Sequence, residues 1–323
     1  MSHAHLLTGK SVLVTGAAGC IGAWVVKLLQ EAGAKPVVFD IVENRQRLDL
    51  IMEDADAVTW ECGDITDYER LNSVCAQYSV SAIIHLAALQ VPFCKADPVG
   101  STQINVMGSI NILEVARQQS ISRLSYASSI AAPAMTSDDA LSTLYGAHKV
   151  CGEQMAAVYW QDWGVPSVGI RPGIIYGPGR DQGMSAAPTI AMLAASAGRD
   201  YETPFTGDVA FVHVEDAAQR FIAAATKSYE GAHVFDMNGT PASVDQVLDL
   251  VRGHVSSVAL TVSGESMPFP ADDDDGALDA LLQIETYRSI ERGVQDTMAT
   301  FEAARSRGIS LDTLFSQIME KHA

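Results

Sequence analysis

A tyrosine and a lysine four residues apart carry the clearest chemical signal in the sequence. Tyr145 and Lys149 belong to the segment YGAHK, and on a helix two side chains at this spacing share one face. The ammonium can then stabilise a phenolate and lower a pKa that is about 10 in free tyrosine. Ser129, at the end of a preceding β-branched run, is expected to hold the reacting oxygen. The trio predicts proton transfer at a hydroxyl or carbonyl group, although an isolated Tyr–Lys pair is usually an exposed helix pair.

Three glycines near the N-terminus predict a binding site for a dinucleotide. Gly16, Gly19 and Gly22 in VTGAAGCIGAW lie between a short apolar run and a helix-length segment. The first glycine permits a tight turn, the second lets backbone N–H groups approach a pyrophosphate, and the third allows close helix packing. The helix N-terminus favours the anion. Glycines at strand ends are common, so the strand before and the helix after give the motif its specificity.

Two aspartates refine the choice of cofactor. Asp40 closes the second strand, 24 positions beyond Gly16, where a carboxylate accepts hydrogen bonds from ribose hydroxyls and repels a 2′-phosphate. It therefore favours NAD over NADP, and the alternative is a strand-end aspartate that caps the next helix. Asp64, after the third strand, presents a similar choice between the adenine amine and capping of a helix that starts near Tyr68.

Alternating strands and helices must position these residues. Six short β-branched runs are separated by helix-length segments: SVLVTG, PVVFD, AVTWECGD, SAIIHLAA, RLSYASS and SVGIRPG. This βαβ repetition predicts an α/β fold with a Rossmann-type doubly wound parallel sheet, covered by helices on both faces. One helix is expected over about 104–115 and another over about 145–163, because their apolar or small residues recur at helical spacing.

The pattern loosens after Gly173, where glycines and prolines indicate loops. We expect residues 1–172 to form a NAD-binding Rossmann domain, to which about 209–236 return. Residues 173–208 and 237–323 are expected to form a smaller C-terminal α/β lobe that binds the substrate.

Two features of the C-terminal part have a local interpretation. The segment TPASVDQVLDLV predicts a helix with Thr240 as its N-cap and Pro241 at its first position. The four adjacent aspartates of 272–275 have no histidine or spaced ligand nearby. We interpret them as a solvated loop and expect no metal site.

The composition excludes several classes of partner. The chain has 323 residues, with 39 acidic against 21 basic ones and a formal charge of −18. Nucleic acids and membrane surfaces both attract Lys/Arg patches, so neither is an expected partner. The five cysteines lack the spacing of a metal site or a disulfide framework, which favours reduced thiols in the cytoplasm. No apolar run is long enough for a membrane span, and no signal peptide is expected.

Further motifs occur in the order found in extended short-chain dehydrogenases/reductases. Besides the glycine motif and YGAHK, these are GDITD, HLAA, INVMGSINIL, YASS, RPGIIYGPG, FVHVEDAA and SIERGV. The chain therefore resembles the NAD-dependent epimerase/dehydratase family over nearly its whole length. The resemblance implies NAD as cofactor, a small-molecule substrate and a homodimer. Apolar helices around 104–116 and 150–160 would form a four-helix seam between the two subunits.

Carried over position by position, the resemblance implies a set of functional residues. The catalytic set is Ser129, Tyr145 and Lys149. The residues expected around the cofactor are Gly16, Ala18, Gly19, Cys20, Ile21, Gly22, Asp40, Asp64, Ile65, Leu86, Ala87, Ala88, Asn105, Tyr145, Lys149, Pro172, Gly173, Ile174 and Ile175. The residues expected around the substrate, taken from loops near the reactive end of the cofactor, are Gln90, Ser129, Gln182, Met184, Ser185, Thr189 and Phe205. His85 is interpreted as a structural histidine rather than a base.

Departures from the family pattern narrow the reaction. Ile130 and Ala131 stand where dehydratases of the family carry Asp-Glu, so loss of water is not expected. Val209 and Ala210 stand where its nucleotide-sugar epimerases usually carry an Arg-Asp pair. Without that arginine fork a diphosphate lacks its best bidentate partner.

The other arginines and one short loop bear on the substrate. Arg180, Arg199 or Arg288 can substitute for the missing fork. Only 16 positions separate Ser129 from Tyr145, fewer than usual in the family, which favours a smaller substrate. The sequence therefore predicts a NAD-dependent dehydrogenase or reductase of a small polar alcohol or carbonyl compound, such as a sugar, sugar acid or hydroxy acid. A sugar or nucleotide-sugar epimerase is the alternative, and a non-catalytic dinucleotide sensor is a third interpretation.

Overall fold

A computed structural model describes residues 3–133, 142–266, 276–285 and 287–322. Its strands are β1 (Ser11–Thr15), β2 (Lys35–Asp40), β3 (Thr59–Cys62), β4 (Ala82–His85), β5 (Leu124–Ala127), β6 (Ser167–Pro172), β7 (Ile174–Tyr176), β8 (Tyr201–Thr203), β9 (Asp208–His213), β10 (Ala232–Met237), β11 (Thr240–Ser243) and β12 (Leu260–Val262). Its α-helices are α1 (Cys20–Glu31), α2 (Gln46–Ile51), α3 (Tyr68–Gln77), α4 (Val91–Ala96), α5 (Pro98–Thr102), α6 (Gly108–Gln118), α7 (Leu144–Trp163), α8 (Ala187–Ala197), α9 (Val214–Ala224), α10 (Val244–His254), α11 (Ala277–Leu282), α12 (Ile290–Ser306) and α13 (Leu311–His322). Short 3₁₀ turns span His3–Leu7, Ala55–Ala57 and Met184–Ala186.

The largest sheet has seven strands in the order β10-β6-β5-β4-β1-β2-β3. All six neighbouring pairs are parallel. Successive residues of each strand face opposite sides, so Val12 and Val14 enter one cluster of buried side chains while Leu13 enters another. Helices α1 and α9 cover the first face, and α3, α6 and α7 cover the second. This confirms the predicted Rossmann-type doubly wound sheet.

Two smaller sheets lie beyond β6 in the chain. One has the order β11-β9-β7, with β9 antiparallel to β11 and parallel to β7, and the other pairs β8 with β12. Within the predicted return segment 209–236, β9 therefore belongs to a small sheet. Helix α9, which contacts α1 and β5, and strand β10 bring the chain back to the large sheet. The division into a cofactor domain and a substrate lobe stays a prediction.

The predicted helix start at Thr240 is wrong. Thr240 and Pro241 begin β11, which pairs with β9 at the edge of its sheet, and an edge strand tolerates a proline because one row of its N–H groups needs no partner. The helix starts at Val244, after Ser243, whose hydroxyl accepts a hydrogen bond from the Gln246 N–H. The cap was therefore misplaced by three residues.

The helix expected over 104–115 is not regular along its length. A π-helical turn over Gln103–Met107 precedes α6. Apolar periodicity does not distinguish a π turn from an α turn over five residues, so the π turn could not be predicted from the sequence.

A tyrosine contact fixes the loop that follows β7. Tyr176 is buried, and its ring makes edge contacts with Phe211 and His213 at centroid distances of 5.7 and 5.2 Å. Helix α12 lies so close that a Cβ atom at Gly293 would be 1.6 Å from the Tyr176 hydroxyl. From the other side, Trp24 of α1 donates a hydrogen bond to the Pro178 carbonyl at 2.9 Å. Elements from both ends of the chain thus hold this loop.

The helices and the grouping of potential metal ligands bear on two of the expectations from the sequence. None of the described helices combines the length and apolarity needed to cross a bilayer. Over the same residues, no group of three or more His, Cys, Asp or Glu side chains could hold a metal ion. The acidic run 272–275, which we interpreted as a solvated loop, lies outside the described residues.

The close packing of α12 predicts contrasting effects of two glycine substitutions. Gly293→Ala is expected to lower the free energy of unfolding by about 1–3 kcal/mol, because the ring of Tyr176 is packed on all sides and cannot yield. Gly253→Ala in α10 is the control, since a Cβ there meets nothing within 4 Å and alanine favours a helix by up to about 1 kcal/mol. Urea unfolding of both variants measures the difference. Equal stability of the two would contradict this packing.

Candidate active site

Tyr145 and Lys149 lie in the first turns of α7. The helix starts at Leu144 because the Thr143 hydroxyl accepts a hydrogen bond from the Gly146 N–H at 3.0 Å. The Lys149 ammonium donates to the Ala127 carbonyl at 2.6 Å and lies 5.5 Å from the centroid of the Tyr145 ring. The lysine therefore joins α7 to the end of β5.

Burial and two neighbouring groups act on the pKa of Tyr145. Burial raises the pKa of Tyr145, and a hydrogen bond with Ser129 and the charge of Arg180 lower it. Burial also lowers the pKa of Lys149 to about 8, so at pH 7 its ammonium form still predominates. The predicted role of Lys149 in lowering the pKa of the tyrosine stays a prediction, and its ammonium lies 5.5 Å from the ring centroid.

An ion pair between a buried carboxylate and a partly buried guanidinium sets the strand end that carries Ser129. Glu153, one turn after Lys149 on α7, accepts two hydrogen bonds from the Arg171 guanidinium, each 2.7 Å long. The same carboxylate accepts a hydrogen bond from Ser128, next to Ser129. The sequence analysis missed Glu153, although an acidic residue one turn beyond the lysine on a helix with buried neighbours was a usable signal.

The glycine motif forms a narrow backbone cradle at the start of α1. Gly16 has φ +71°, and a Cβ there would lie 2.6 Å from the Ala87 nitrogen. A Cβ at Gly22 would lie 2.4 Å from the Gly16 carbonyl oxygen. Gly19 is the N-cap of α1 and supplies no side chain to its free N–H groups. These groups and the helix dipole suit a pyrophosphate.

Asp40 lies beside this turn at the end of β2. Its carboxylate accepts hydrogen bonds from the Ala18 N–H at 3.0 Å and from the Ile41 N–H at 2.9 Å. Burial raises its pKa, and the hydrogen bond from Ala18 opposes that shift. The next helix, α2, has Arg45 at its N-cap and no side-chain cap, so Asp40 is not a helix cap. Each oxygen retains acceptor capacity for a ribose hydroxyl.

The adenine side of the predicted site is built by the turn after β3. One oxygen of Asp64 accepts hydrogen bonds from the Thr66 N–H and hydroxyl, both at 2.8 Å. Asp67, not Asp64, caps α3. Asn111 of α6 donates to the Ile65 carbonyl at 3.0 Å and fixes this turn.

Buried polar side chains hold the turn after β4, which contains Leu86, Ala87 and Ala88. The Thr15 hydroxyl accepts hydrogen bonds from two N–H groups of this turn and lies 2.8 Å from the His85 Nδ1. Burial lowers the pKa of His85 to about 3, so the ring is neutral at pH 7. Asn105, from the π-helical turn, bonds both the N–H and the carbonyl of Leu89. Asn105 thus lies behind the predicted cofactor site.

The predicted nicotinamide side is formed by residues 172–175. The Gly173 N–H donates to the Met237 carbonyl at 2.8 Å, and the Ile130 N–H to the Pro172 carbonyl at 3.4 Å. Ile174 and Ile175 are buried. This segment therefore follows directly from the strand end fixed by the Glu153–Arg171 pair.

The predicted substrate residues separate into two groups. Gln90, Gln182, Met184 and Ser185 are partly or fully exposed around the loop 177–185. Two others are not available to a ligand in this arrangement. The Thr189 hydroxyl is buried and accepts a hydrogen bond from the Gly177 N–H, and the Phe205 side chain is completely buried in the core.

Sequence reasoning missed Arg47 at the start of α2. Its guanidinium donates to the carbonyls of Ala18 and Gly179 at 2.5 and 3.0 Å and pairs with Asp181 at 2.5 Å. The side chain therefore joins the glycine-rich turn to the loop 177–185. No local pattern indicates such a contact, because its partners are up to 134 residues away in the chain.

Fold and site define a NAD-binding α/β protein, and sequence comparison gives its family. A family model described as the NAD dependent epimerase/dehydratase family matches residues 12–238. UDP-glucose 4-epimerase of Rhizobium leguminosarum bv. trifolii is 30% identical over 279 residues, which cover 76% of this chain and 82% of that protein. The chain belongs to the NAD-dependent epimerase/dehydratase family of extended short-chain dehydrogenases/reductases, and its cofactor is NAD.

Solved structures share the fold. L-threonine dehydrogenase from Clostridium difficile has a TM-score of 0.77 at 21% identity, covering 92% of this chain and 98% of its own. UDP-glucose 4-epimerase from Brucella ovis in complex with NAD has a TM-score of 0.74 at 23% identity, covering 90% of this chain and 98% of its own. Proteins of two reaction types thus have this fold.

The position of Asp40 predicts the cofactor preference. A 2′-phosphate would lie beside this carboxylate, so NAD is expected to bind at least about tenfold more tightly than NADP, or about 1.4 kcal/mol. Calorimetric titration with each oxidised cofactor measures the ratio, and Asp40→Asn should reduce it. Equal or tighter binding of NADP would exclude the assigned role of Asp40.

Proposed function

We propose that the protein is a NAD-dependent dehydrogenase or reductase of a small polar alcohol or carbonyl compound, such as a sugar, sugar acid or hydroxy acid. The observation that carries this proposal is the environment of β9. Val209 and Ala210, at the positions of the Arg-Asp pair expected of nucleotide-sugar epimerases, are buried at 0% and 2% exposure. This part of β9 offers a diphosphate no charged partner.

Two of the arginines that could replace the missing fork are already paired. Arg199 pairs with Asp312 at 2.5 Å. Arg288 pairs with Glu215, Asp216 and Asp296 at 2.8–3.0 Å. Diverting either guanidinium to a diphosphate would leave carboxylates without their partners, so neither replaces the missing fork without loss of its ion pairs.

The mechanism follows from the side chains at the start of α7. Tyr145 accepts the proton of the substrate hydroxyl, while Ser129 holds the same oxygen by a hydrogen bond. The charge of Arg180 and the hydrogen bond with Ser129 favour the phenolate form. Lys149 adds a positive charge near the ring and fixes α7 to the end of β5. When bound, NAD supplies the acceptor for the hydride.

Two other functions are alternatives to the proposed dehydrogenase. An epimerase is supported by the UDP-glucose 4-epimerase relative, which is 30% identical. Its substrate, by that name, is a nucleotide sugar, and the apolar β9 positions argue against one here. A non-catalytic dinucleotide sensor would not need a tyrosine held by hydrogen bonding for proton transfer.

The two enzymatic functions differ in the fate of the hydride. An epimerase returns it to the substrate, whereas a dehydrogenase releases an oxidised product. Incubation of the enzyme with excess NAD and a panel of sugars, sugar acids and hydroxy acids is therefore expected to produce many equivalents of reduced cofactor per active site, measured by absorbance. A stereoinverted product with at most one equivalent would instead establish the epimerase.

Two tyrosine variants test whether this turnover depends on the assigned base. Tyr145→Phe should keep NAD binding and lose most turnover, because only the ionisable oxygen is removed. Tyr159→Phe, at the other end of the same helix, is the control and should keep turnover, since its hydroxyl bonds to Glu114 far from Ser129. Wild-type turnover of Tyr145→Phe would require another base.

We propose that two chains associate through α6 and α7. Met107, Val158 and Trp163, on or beside these helices, are about half exposed, and such apolar groups are costly to leave in water. Light scattering at micromolar concentration is expected to give twice the mass of one chain. A mass of one chain would exclude the homodimer.

We also propose a cytoplasmic location. All five cysteines are free in the structure, which supports a reducing compartment. Fractionation of the source cells with an antibody checks this proposal, and recovery outside the cytoplasm would exclude it.

A further inference from the structure

One arginine beside the candidate active site forms no salt bridge within the described part of the chain. Arg180 follows the loop glycine Gly179, and its Nη2 donates to the Ser185 hydroxyl at 2.9 Å. Its Nε is buried without any hydrogen-bond partner, and among the described residues the guanidinium forms no salt bridge. The nearby carboxylate of Asp181 is engaged by Arg47 at 2.5 Å. Arg180 therefore has N–H donors that are available for a hydrogen-bond acceptor of a ligand.

The Arg180 guanidinium acts electrostatically on Tyr145, the proposed proton acceptor. Its charge lowers the pKa of Tyr145. Its Nη2 and the amide oxygen of Gln90 lie 3.7 and 3.9 Å from the point where a Cβ of Gly183 would be. Arg180, Gln90 and Ser185 therefore lie close to one another around Gly183.

A buried guanidinium without a salt bridge is unfavourable unless a ligand supplies the missing negative charge and hydrogen-bond acceptors. Burial lowers the pKa of Arg180, which reflects the cost of removing its charge from water. A buried N–H donor of a charged group that has no acceptor destabilises the protein, because its hydrogen bonds to water are lost and not replaced. An anion that enters the site with the substrate would recover this energy and form strong charge-assisted hydrogen bonds.

The local charges favour a monoanion with two oxygens. Lys149 is directed at the Ala127 carbonyl, and Arg47 is engaged by Asp181 and two carbonyls. One guanidinium charge is therefore left for the ligand, and Asp181 disfavours a dianion such as a phosphate monoester. The planar guanidinium matches a carboxylate, which it can bind with two parallel hydrogen bonds.

We propose that Arg180 binds a carboxylate of the substrate, with Ser185 and Gln90 as neighbouring hydrogen-bonding groups, so that the substrate is a hydroxy acid and the product the corresponding oxo acid. This inference rests on the proposed function. In the reaction the O–H and C–H bonds of the carbinol break and a C=O double bond forms. The proton passes to Tyr145, and two electrons leave with the hydrogen as hydride, which reduces NAD. The carboxylate is unchanged.

The test measures binding without turnover. Enzyme saturated with NADH is titrated in a calorimeter with glycerate and 3-hydroxybutyrate. The matched neutral probes are glycerol and butane-1,3-diol, and glycerol 3-phosphate is the phosphate probe. Wild-type enzyme is expected to bind each carboxylate about tenfold or more tightly than its neutral counterpart.

Variants assign the preference to one side chain. Arg180→Gln should reduce the carboxylate preference to about one while NADH affinity changes less than about twofold. Arg180→Lys should keep part of the preference, because lysine supplies a charge without the planar fork. Ser185→Ala, which keeps the arginine, guards against a folding defect and should weaken carboxylate binding by a smaller factor. Arg199→Gln, on the exposed pair with Asp312, is the control and should match wild type.

Several results would overturn the inference. Equal binding of carboxylate and neutral probes by wild type would do so, as would an Arg180→Gln variant that keeps the preference. Loss of NADH affinity with the preference unchanged would assign Arg180 to the cofactor phosphates. Tighter binding of glycerol 3-phosphate than of either carboxylate would assign it to a phosphate. The proposed function fails separately, because it is judged by the equivalents of reduced cofactor formed.

Discussion

The ion pair between the buried Glu153 and the partly buried Arg171 is the interaction on which the candidate active site depends. It joins the helix of Tyr145 and Lys149 to the strand that leads into residues 172–175, and through Ser128 it reaches the strand end that carries Ser129. Removing Arg171 would be unfavourable, because the Glu153 carboxylate, whose side chain is 7% exposed, would stay buried without its partner. The pair matters to the site because it holds α7, β6 and the end of β5 together.

The negative charge of the whole chain contrasts with the positive charges at the candidate active site. The chain carries a formal charge of −18, yet Arg47, Lys149 and Arg180 gather at the carboxyl ends of the strands. Exposed charges more than about 8 Å away are largely screened at physiological ionic strength. The binding of an anionic ligand therefore depends mainly on these nearby cations, and the acidic surface affects the rate of approach more than the binding.

Much of the fold and of the cofactor site could be predicted, because the residues that determine them lie close together in the sequence. The strands of the large sheet are short β-branched runs, and the glycine turn, Asp40 and the Tyr–Lys pair each lie within one or two adjacent elements. The features that could not be predicted depend on distant partners. Thr240 joins a strand because β9 is available to pair with it. The contacts of Arg47 and the unpaired state of Arg180 likewise follow from packing between segments that are far apart in the chain.

The anchors of the loop 177–185 have an evolutionary consequence. Trp24 and Arg47 hold this loop largely through the carbonyls of Pro178 and Gly179, and a carbonyl is present whatever the side chain. The frame of the loop is therefore insensitive to most substitutions at its outer positions, such as Gln182 and Met184. New substrate preferences can arise by drift at those positions while the cofactor turn and the proton-transfer groups keep their geometry, which makes this loop a favourable starting point for diversification and for directed evolution.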